Sequence, residues 1–195
     1  MGLQSMTTLP RRSVVPTNPT TEPLQLSEAK KHLEIAPSDD THDEHLRALI
    51  VAAREVWEHD TQSLTVARSV VEKIDAWPDE SWRFYYRPVS AVASVTYYDV
   101  ANASQTLASS VYSLDATNRQ LRLDVDQEWP DIEDRWDAIT VTYTAGETLT
   151  SEIAKHAMKL QISMLFGDDL NKREYDNWAK AYENLVGRYQ RSSYP

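Results

Sequence analysis

The spacing of apolar residues changes twice along the chain, and this change constrains the fold more than any other sequence feature. Up to about residue 60, apolar residues recur every three to four positions, as on one face of a helix. From about 65 to 145 they alternate with polar residues, as in strands that have one covered face. Helical spacing then returns. This order predicts a β region inserted between two pairs of helices.

Four helices are predicted from the spacing, over about 27–36, 42–60, 151–166 and 172–190. The second helix has the clearest start, because Thr41 and Glu44 have the spacing of a capping box. Gly167 is expected to end the third helix in a left-handed conformation. The fold class predicted from these elements is α+β, a small helical bundle with an inserted antiparallel β element over about 65–145.

The ends of the chain are predicted to differ from the rest. Residues 1–25 contain four prolines and no apolar periodicity, so we expect a flexible N-terminal arm that does not fold alone. Residues 26–190 are expected to form a single domain, and 191–195 a short tail. A length of 195 residues suits one domain carrying an insertion.

Composition excludes several classes of site. The chain has no cysteine, which removes disulfides, thiolate metal ligands and cysteine nucleophiles. A formal net charge of -10 disfavours tight binding to a phosphate backbone, although a protein that surrounds DNA without holding it remains compatible with that charge. No stretch has the roughly 18 apolar residues of a membrane span, so we expect a soluble protein without a membrane partner.

Several local strings occur in an order that carries a resemblance. "LQLSEAKKHLEI" is followed by "DEHLRALIVAAREVWEHDT", then by "YYRPVSAVASVTYYD", and finally by the threonine-rich "AITVTYTAG" that precedes a helix. In this order, over about residues 24–190, the chain resembles the head-tail connector (adaptor) family of tailed bacteriophages. The N-terminal arm and the acidic insert around 126–137 exceed the usual pattern of that family.

The resemblance implies a structural virion protein and no enzyme. Such a protein would form a homo-oligomeric ring of twelve subunits in the neck of the virion, after assembly in the host cytoplasm. The ring would join the portal protein to a stopper or tail-completion protein, and it would prolong the channel through which genomic DNA passes without tight binding. No cofactor, metal ion or catalytic residue is expected.

The C-terminal helix is the predicted portal interface. Its tyrosines are amphipathic rings that suit an interface, and its arginines give this end a positive balance in an acidic chain. In the family that the chain resembles, the C-terminal helix commonly reaches the portal. The alternative is a helix that packs its tyrosines on its own bundle and ends in a frayed basic segment without a partner. The predicted contact residues are Tyr182, Arg188, Tyr189, Arg191 and Tyr194.

An acidic segment over 115–137 contains eight acids, three bases and two tryptophans, Trp129 and Trp136. We expect a loop that faces the ring lumen or a neighbouring subunit. The alternative is a glycan-binding or glycan-cleaving site, because paired carboxylates beside tryptophans can cleave a glycosidic bond. The residues predicted to face the lumen or the neighbour are Asp126, Glu128, Asp131, Glu133 and Asp134.

Histidines and carboxylates also cluster before the second helix, at Asp39, Asp40, His42, Asp43 and His45. Imidazole and carboxylate groups can ligate a divalent ion. These residues lack a recognised ligand spacing, however, and polar and acidic residues are normal at a helix start. The interpretation is therefore a solvated helix terminus without metal.

Overall fold

Apart from one additional strand before the first helix, helices and strands follow each other in the order that the apolar spacing predicts. The structure is a computed structural model that describes residues 11–79, 81–117, 119–147, 151–167 and 171–192. Within these ranges the helices are α1 (Leu26–His32), α2 (Asp43–Thr61), α3 (Glu152–Phe166) and α4 (Lys172–Ser192). The strands are β1 (Arg12–Pro16), β2 (Arg68–Ile74), β3 (Ser81–Arg83), β4 (Val89–Tyr98), β5 (Ser104–Thr106), β6 (Tyr112–Asp115), β7 (Gln120–Leu123) and β8 (Ile139–Ala145). The predicted α+β fold class is confirmed.

Residue contacts divide the chain into two compact units, each made from two separate segments. The β unit contains residues up to Thr17 together with Arg68–Ala145. The helical unit contains Asn18–Ala67 and the chain from Gly146 onward. The single domain expected over 26–190 stays a prediction, which unfolding experiments can test.

The helical unit has a core in which all four described helices take part. Apolar residues of α2 at helical spacing are fully buried, among them Leu46, Ala53 and Trp57. α3 contributes a second apolar face, and the inner face of α4 packs against both. The buried core residues of this unit are Leu24, Ala29, Leu46, Leu49, Ile50, Ala53, Trp57, Ala154, Ala157, Met158, Leu160, Ile162 and Tyr182.

The β unit contains two antiparallel sheets. The larger has the strand order β1-β2-β8-β4-β5, and the smaller has the order β3-β7-β6. Burial alternates strictly along β2 and β8, so each strand turns every second side chain into the core. Trp82 of β3 and Leu121 of β7 are paired and buried in the smaller sheet.

The structure corrects three local predictions. Thr41 and Glu44 do not form a capping box: α2 begins at Asp43, with His42 as N-cap, because the Thr41 amide donates instead to the Asp39 carboxylate at 3.1 Å. Gly167 ends α3 in an extended conformation with φ of -87°, so the predicted left-handed cap is wrong. α1 ends before Pro37, since Glu34 adopts a positive φ of 59° and leaves the helix.

The N-terminal arm contains a strand that the sequence did not predict. Residues 12–16, which lie in the segment predicted as a flexible arm that does not fold alone, form β1 at the edge of the five-stranded sheet. β1 pairs with β2 from Arg12 opposite Ile74 to Pro16 opposite Val70. An edge strand tolerates proline because only one of its two sides must donate to a neighbour. The prolines of this segment therefore did not exclude a strand.

Gly146 ends β8 where the chain enters the helical unit. Its φ of +121° lies in a region that side chains rarely adopt. A Cβ atom added to Gly146 would lie 2.4 Å from the carbonyl oxygen of Val66, which is closer than atoms approach without a clash. Glycine is therefore required at the end of the threonine-rich strand.

Candidate interaction surfaces

The predicted portal residues on α4 divide into an inner and an outer group. Tyr182 is buried with 7% of its surface exposed, and its hydroxyl donates to the Asp60 carboxylate at 2.8 Å. Burial and this acceptor raise the pKa of Tyr182 above its ordinary value. The ring of Tyr182 also lies 6.5 Å from that of Trp57. Tyr182 therefore packs inside its own unit.

Tyr189 is also held within the helical unit. Its hydroxyl donates to the Glu147 carboxylate at 2.5 Å and lies 2.8 Å from the Ser63 hydroxyl. Its ring meets Trp57 edge to face, with the centroids 5.1 Å apart. One tyrosine thus fixes the C-terminal part of α4 to two other segments of the chain.

The outer group consists of the charged residues. Arg188 and Arg191 are exposed. The neighbouring Gln190 side chain donates to the Asp60 carbonyl at 2.9 Å, a hydrogen bond that joins this end of α4 to the end of α2. Tyr194 lies outside the described residues. Of the four predicted portal residues that the structure describes, Arg188 and Arg191 have exposed side chains.

The acidic loop, defined here as residues 124–137 between β7 and β8, is ordered by aromatic stacking. Trp129 lies face to face on Trp77, with centroids 4.5 Å apart and planes 6° from parallel. The Trp77 indole N–H donates to the Pro130 carbonyl at 2.9 Å, and the Tyr97 ring packs against Trp77. The loop is therefore anchored at its centre.

The C-terminal half of the acidic loop contacts β4 and the turn that follows β4. The Glu133 amide donates to the Tyr98 carbonyl at 3.0 Å. The Arg135 guanidinium lies 3.9 Å from the centroid of the Tyr98 ring and donates to the Asn102 side chain at 2.8 Å. Asn102 has the positive φ expected of a turn residue. Arg135, the only basic residue of the loop, is therefore held by contacts within the same protein chain.

The carboxylates of the acidic loop point outward. Asp126, Glu128, Asp131 and Asp134 are exposed, and Glu133 is half-buried. Within the described ranges, no ion pair joins these five carboxylates to a basic side chain. In the described part of the chain, these five carboxylates therefore form an acidic surface without a basic partner, whereas Asp137, at the end of the loop, pairs with Lys73 at 3.7 Å.

The two loop tryptophans have different surroundings, which bears on the glycan alternative. One face of Trp129 is covered by Trp77. Trp136 is 75% exposed, with the Arg11 guanidinium 5.5 Å from its ring centroid. Of the two loop tryptophans, Trp136 is therefore the one whose ring is largely open to solvent.

The histidines that precede and begin α2 pack against an aromatic ring. His42 lies edge-on to Phe166 at 5.3 Å, and His45 lies 5.9 Å from the same ring. Across the described part of the chain, no group of three or more histidine, aspartate and glutamate side chains could hold a metal ion. Among the same residues, no helix is both long and apolar enough to cross a membrane.

A buried carboxylate in the β unit was missed from the sequence. Glu72 is fully buried at an inward position of β2. Its two oxygens accept hydrogen bonds from the Trp82 indole at 3.0 Å, the Tyr143 hydroxyl at 2.9 Å and the Tyr85 amide at 3.3 Å. Burial raises the pKa of Glu72, while the Arg12 guanidinium, which forms an ion pair with it, opposes that rise.

Arg12 connects β1 to both sheets of the β unit. Besides its ion pair with Glu72, it donates to the Arg83 carbonyl at 2.6 Å. Its guanidinium also lies 5.9 Å from the centroid of the Tyr85 ring. The sequence signal was a glutamate interrupting the apolar alternation of β2, a position that needs a cation from elsewhere.

No family model matches the chain, and no curated protein matches it. Several solved structures, however, are similar to the chain over most of its length. A chain from a structure described as the virion of a native gene transfer agent particle is 17% identical, with a TM-score of 0.71, over 91% of this chain and 94% of that one.

Two chains from particle necks are also similar. One, from the neck of an empty gene transfer agent particle computed with C6 symmetry, is 17% identical with a TM-score of 0.67, over 85% of this chain and 94% of the other. The second, from the neck of the native particle computed with C12 symmetry, is 17% identical with a TM-score of 0.58, over 86% and 94%. The chain therefore has the fold of protein chains from the neck and virion of gene transfer agent particles, in agreement with its resemblance to head-tail connector proteins.

Proposed function

We propose that this chain is a structural neck protein, a head-tail connector that forms a ring between the portal and the tail of a phage or phage-like particle. The observation that carries the proposal is the shared fold over 91% of this chain and 94% of a virion chain. The two similar neck structures were computed with C6 and with C12 symmetry, and a ring of twelve copies is compatible with both symmetries.

A ring suits this chain energetically because each copy needs only a modest contact with its partner. A ring of identical subunits engages the portal at many equivalent places at once, so weak individual contacts give a strong attachment. The ring would continue the DNA channel. With a net charge of -10 its wall repels phosphates, and genomic DNA would pass without being held.

The portal contact is proposed at the C-terminal end of α4. Arg188 and Arg191 would meet acidic groups of the portal, while Tyr182 and Tyr189 hold the helix in place from inside. Tyr194 belongs to the same proposed contact, and the opposite side of the ring would receive a stopper or tail-completion protein. The function is non-enzymatic, and the protein would be assembled in the host cytoplasm and located in the neck of the virion.

Electron microscopy of the purified protein, alone and mixed with the portal ring encoded in the same genome, tests the proposal. We expect closed rings of this protein stacked on one side of the portal. The proposal would be contradicted if the purified protein stayed monomeric at all concentrations and never attached to the portal.

The portal contact is tested by reversing charges rather than by truncation, because removing residues from 188 onward would also remove Tyr189 and its bonds within the helical unit. We expect Arg188→Glu with Arg191→Glu to abolish portal attachment without loss of helicity. Lys172→Glu, at the other end of α4, is the matched control and should attach normally. Unchanged attachment of the double variant would move the portal contact elsewhere.

A further inference from the structure

An open cavity of about 410 Å³ lies in the β unit, beside the start of β1. Sites that bind small molecules commonly have volumes of about 300–1,000 Å³, so this cavity is large enough to hold several side chains. Its walls come from β1, from the end of β2, from β3 and from the connection between β2 and β3. The wall residues include Arg12, Ile74, Ala76, Pro78, Trp82 and Arg83.

The walls of the cavity are mainly apolar. Ile74 and Trp82 are buried, Pro78 is half-buried and Ala76 is exposed. An occupant that removed these side chains from water would gain free energy in proportion to the apolar area that it covered. The cavity therefore suits an apolar occupant.

Two polar groups of the walls already have partners inside the β unit. The Arg12 guanidinium pairs with the Glu72 carboxylate and donates to the Arg83 carbonyl, and the Trp82 indole donates to Glu72. The Arg83 side chain is exposed, and a long basic side chain can keep its charge in water while its stem borders an apolar site. An occupant therefore needs no charge of its own.

The chain enters the described structure beside this cavity. Its first described residue, Arg11, precedes the wall residue Arg12. β1 runs antiparallel to β2 with Arg12 opposite Ile74, the last residue of β2, so the residues before Arg12 are directed past the end of β2. The connection that continues β2 also forms part of the cavity wall. Residues 7–10 therefore begin close to the cavity.

The contacts of Arg11 agree with this direction. Its guanidinium lies 5.5 Å from the ring centroid of Trp136, and the amide of the next residue, Asp137, donates to the Asp75 carboxylate at 2.7 Å. Asp75 directly follows β2. The Arg11 side chain thus contacts a segment that is bonded to the first residue after β2.

Residues 7–10 have the chemistry that the cavity suits. They are Thr7, Thr8, Leu9 and Pro10, and they lie outside the described residues. Residues 1–10 contain no charged side chain, although 26% of the whole chain is charged. Proline disfavours a helical conformation in the residue before it, so Leu9 favours an extended one. Four extended residues reach about 13 Å, which is sufficient to cross a cavity of this volume.

We propose that residues 7–10 of the same chain close this cavity, with Leu9 and Pro10 packed on its apolar walls. The inference concerns the β unit by itself and holds whether or not the protein forms a ring. Covalent attachment favours this occupant over a second copy or a separate partner, because a short connection gives an effective concentration of about millimolar or more. The segment also has no charge to lose from water on entering the cavity.

Thiol protection tests the closure in the full chain, which has no natural cysteine. Pro78→Cys places one thiol on the cavity wall, and we expect it to react slowly with N-ethylmaleimide. Adding Leu9→Asp with Pro10→Asp should accelerate the reaction by at least about tenfold, because carboxylates do not enter an apolar cavity and the segment would leave it. Carboxylates close to a thiol would by themselves slow the reaction, since they disfavour the reactive thiolate.

Two matched controls accompany this measurement. Gln4→Asp with Ser5→Asp adds the same charge outside residues 7–10 and should leave the reaction rate of Pro78→Cys unchanged. Val100→Cys places a thiol at a position that is 68% exposed, in the turn between β4 and β5. This thiol should react quickly, and at the same rate with and without Leu9→Asp and Pro10→Asp.

A disulfide gives a second readout. Leu9→Cys with Pro78→Cys should form an intramolecular disulfide under mild oxidation, since such a bond requires Cα atoms within about 7 Å of each other. The product should migrate as a monomer, and the rate should not depend on protein concentration. Leu3→Cys with Pro78→Cys is the control and should react at least about tenfold more slowly, because residue 3 lies outside the closing segment.

Three results would overturn the inference. A Pro78→Cys thiol that reacts equally fast with and without Leu9→Asp and Pro10→Asp would mean that residues 7–10 do not cover the cavity. Protection that disappears on dilution, or a disulfide that forms mainly dimers, would assign the cavity to a second copy of the chain. Equal disulfide rates from Leu9→Cys and Leu3→Cys would mean that the segment has no fixed place on the cavity wall.

Discussion

The guanidinium of Arg12 forms an ion pair with the fully buried carboxylate of Glu72, so the counter-ion of a core residue comes from the edge strand β1. Without Arg12, Glu72 would be a buried charge with only neutral hydrogen-bond donors. Breaking a buried pair by removing one partner is costly, because the remaining charge stays in a medium of low polarity.

Arg12→Ala should therefore destabilise the protein, by about 2–3 kcal/mol near neutral pH. Burial raises the pKa of Glu72, so the native state holds the proton more tightly than the unfolded chain, and this group favours folding less as pH rises. Loss of Arg12 raises that pKa further. The cost of Arg12→Ala should consequently be largest at neutral pH and shrink toward about pH 4. Urea unfolding at several pH values measures it, and a pH-independent cost would contradict the role given to Glu72.

The same ion pair should protect β1 from local opening. We expect slow amide exchange in the natural protein at Thr17 and at the alternate residues of β1 whose amides face β2, because β1 pairs with β2 and the Thr17 amide donates to the Ser69 carbonyl. Arg12→Ala should accelerate exchange there by at least about tenfold. Arg11→Ala, which removes the adjacent arginine, is the control. Fast exchange over this segment in the natural protein would return it to the flexible arm expected from the sequence.

Two glycines should respond oppositely to the same substitution. Gly146→Ala should destabilise by about 2 kcal/mol or more, since the added Cβ would meet the Val66 carbonyl at a positive φ. Gly187→Ala, within α4, meets only the end of the Arg191 side chain at 3.6 Å and should stabilise by about 0.5–1 kcal/mol. Thermal unfolding compares the two, and equal effects would contradict this difference.

Tyr189→Phe should lower stability by about 1–2 kcal/mol, because it leaves the Glu147 carboxylate without this donor. Tyr175→Phe is the control on the same helix, since Tyr175 is half exposed and should change stability by less than about 0.5 kcal/mol. Chemical unfolding gives both values. If Tyr189→Phe impaired portal attachment without any loss of stability, Tyr189 would be a contact residue after all.

Apolar spacing was sufficient to predict the helices and the fold class, because α2 and α3 bury one continuous face each. It could not predict β1, because this strand pairs with the free edge of β2, which lies more than fifty residues later in the chain. Nor could it identify the Glu72 site, since Trp82 and Tyr143 reach that carboxylate from two other strands. Nor could apolar spacing predict that Tyr182 and Tyr189 lie on the inner face of α4, because that placement depends on the contacts of their rings with Trp57 of α2.

The division of each unit into two chain segments has a consequence for synthesis. β1 leaves the ribosome first, yet its partner β2 follows only after the whole of 18–67 has been made. The helical unit in turn lacks α3 and α4 until all residues of the β unit have been synthesised. Neither unit can be produced as one continuous fragment, and contacts between such distant segments form slowly. A nascent chain stalled at residue 145 would thus carry every β strand but only half of its helical bundle.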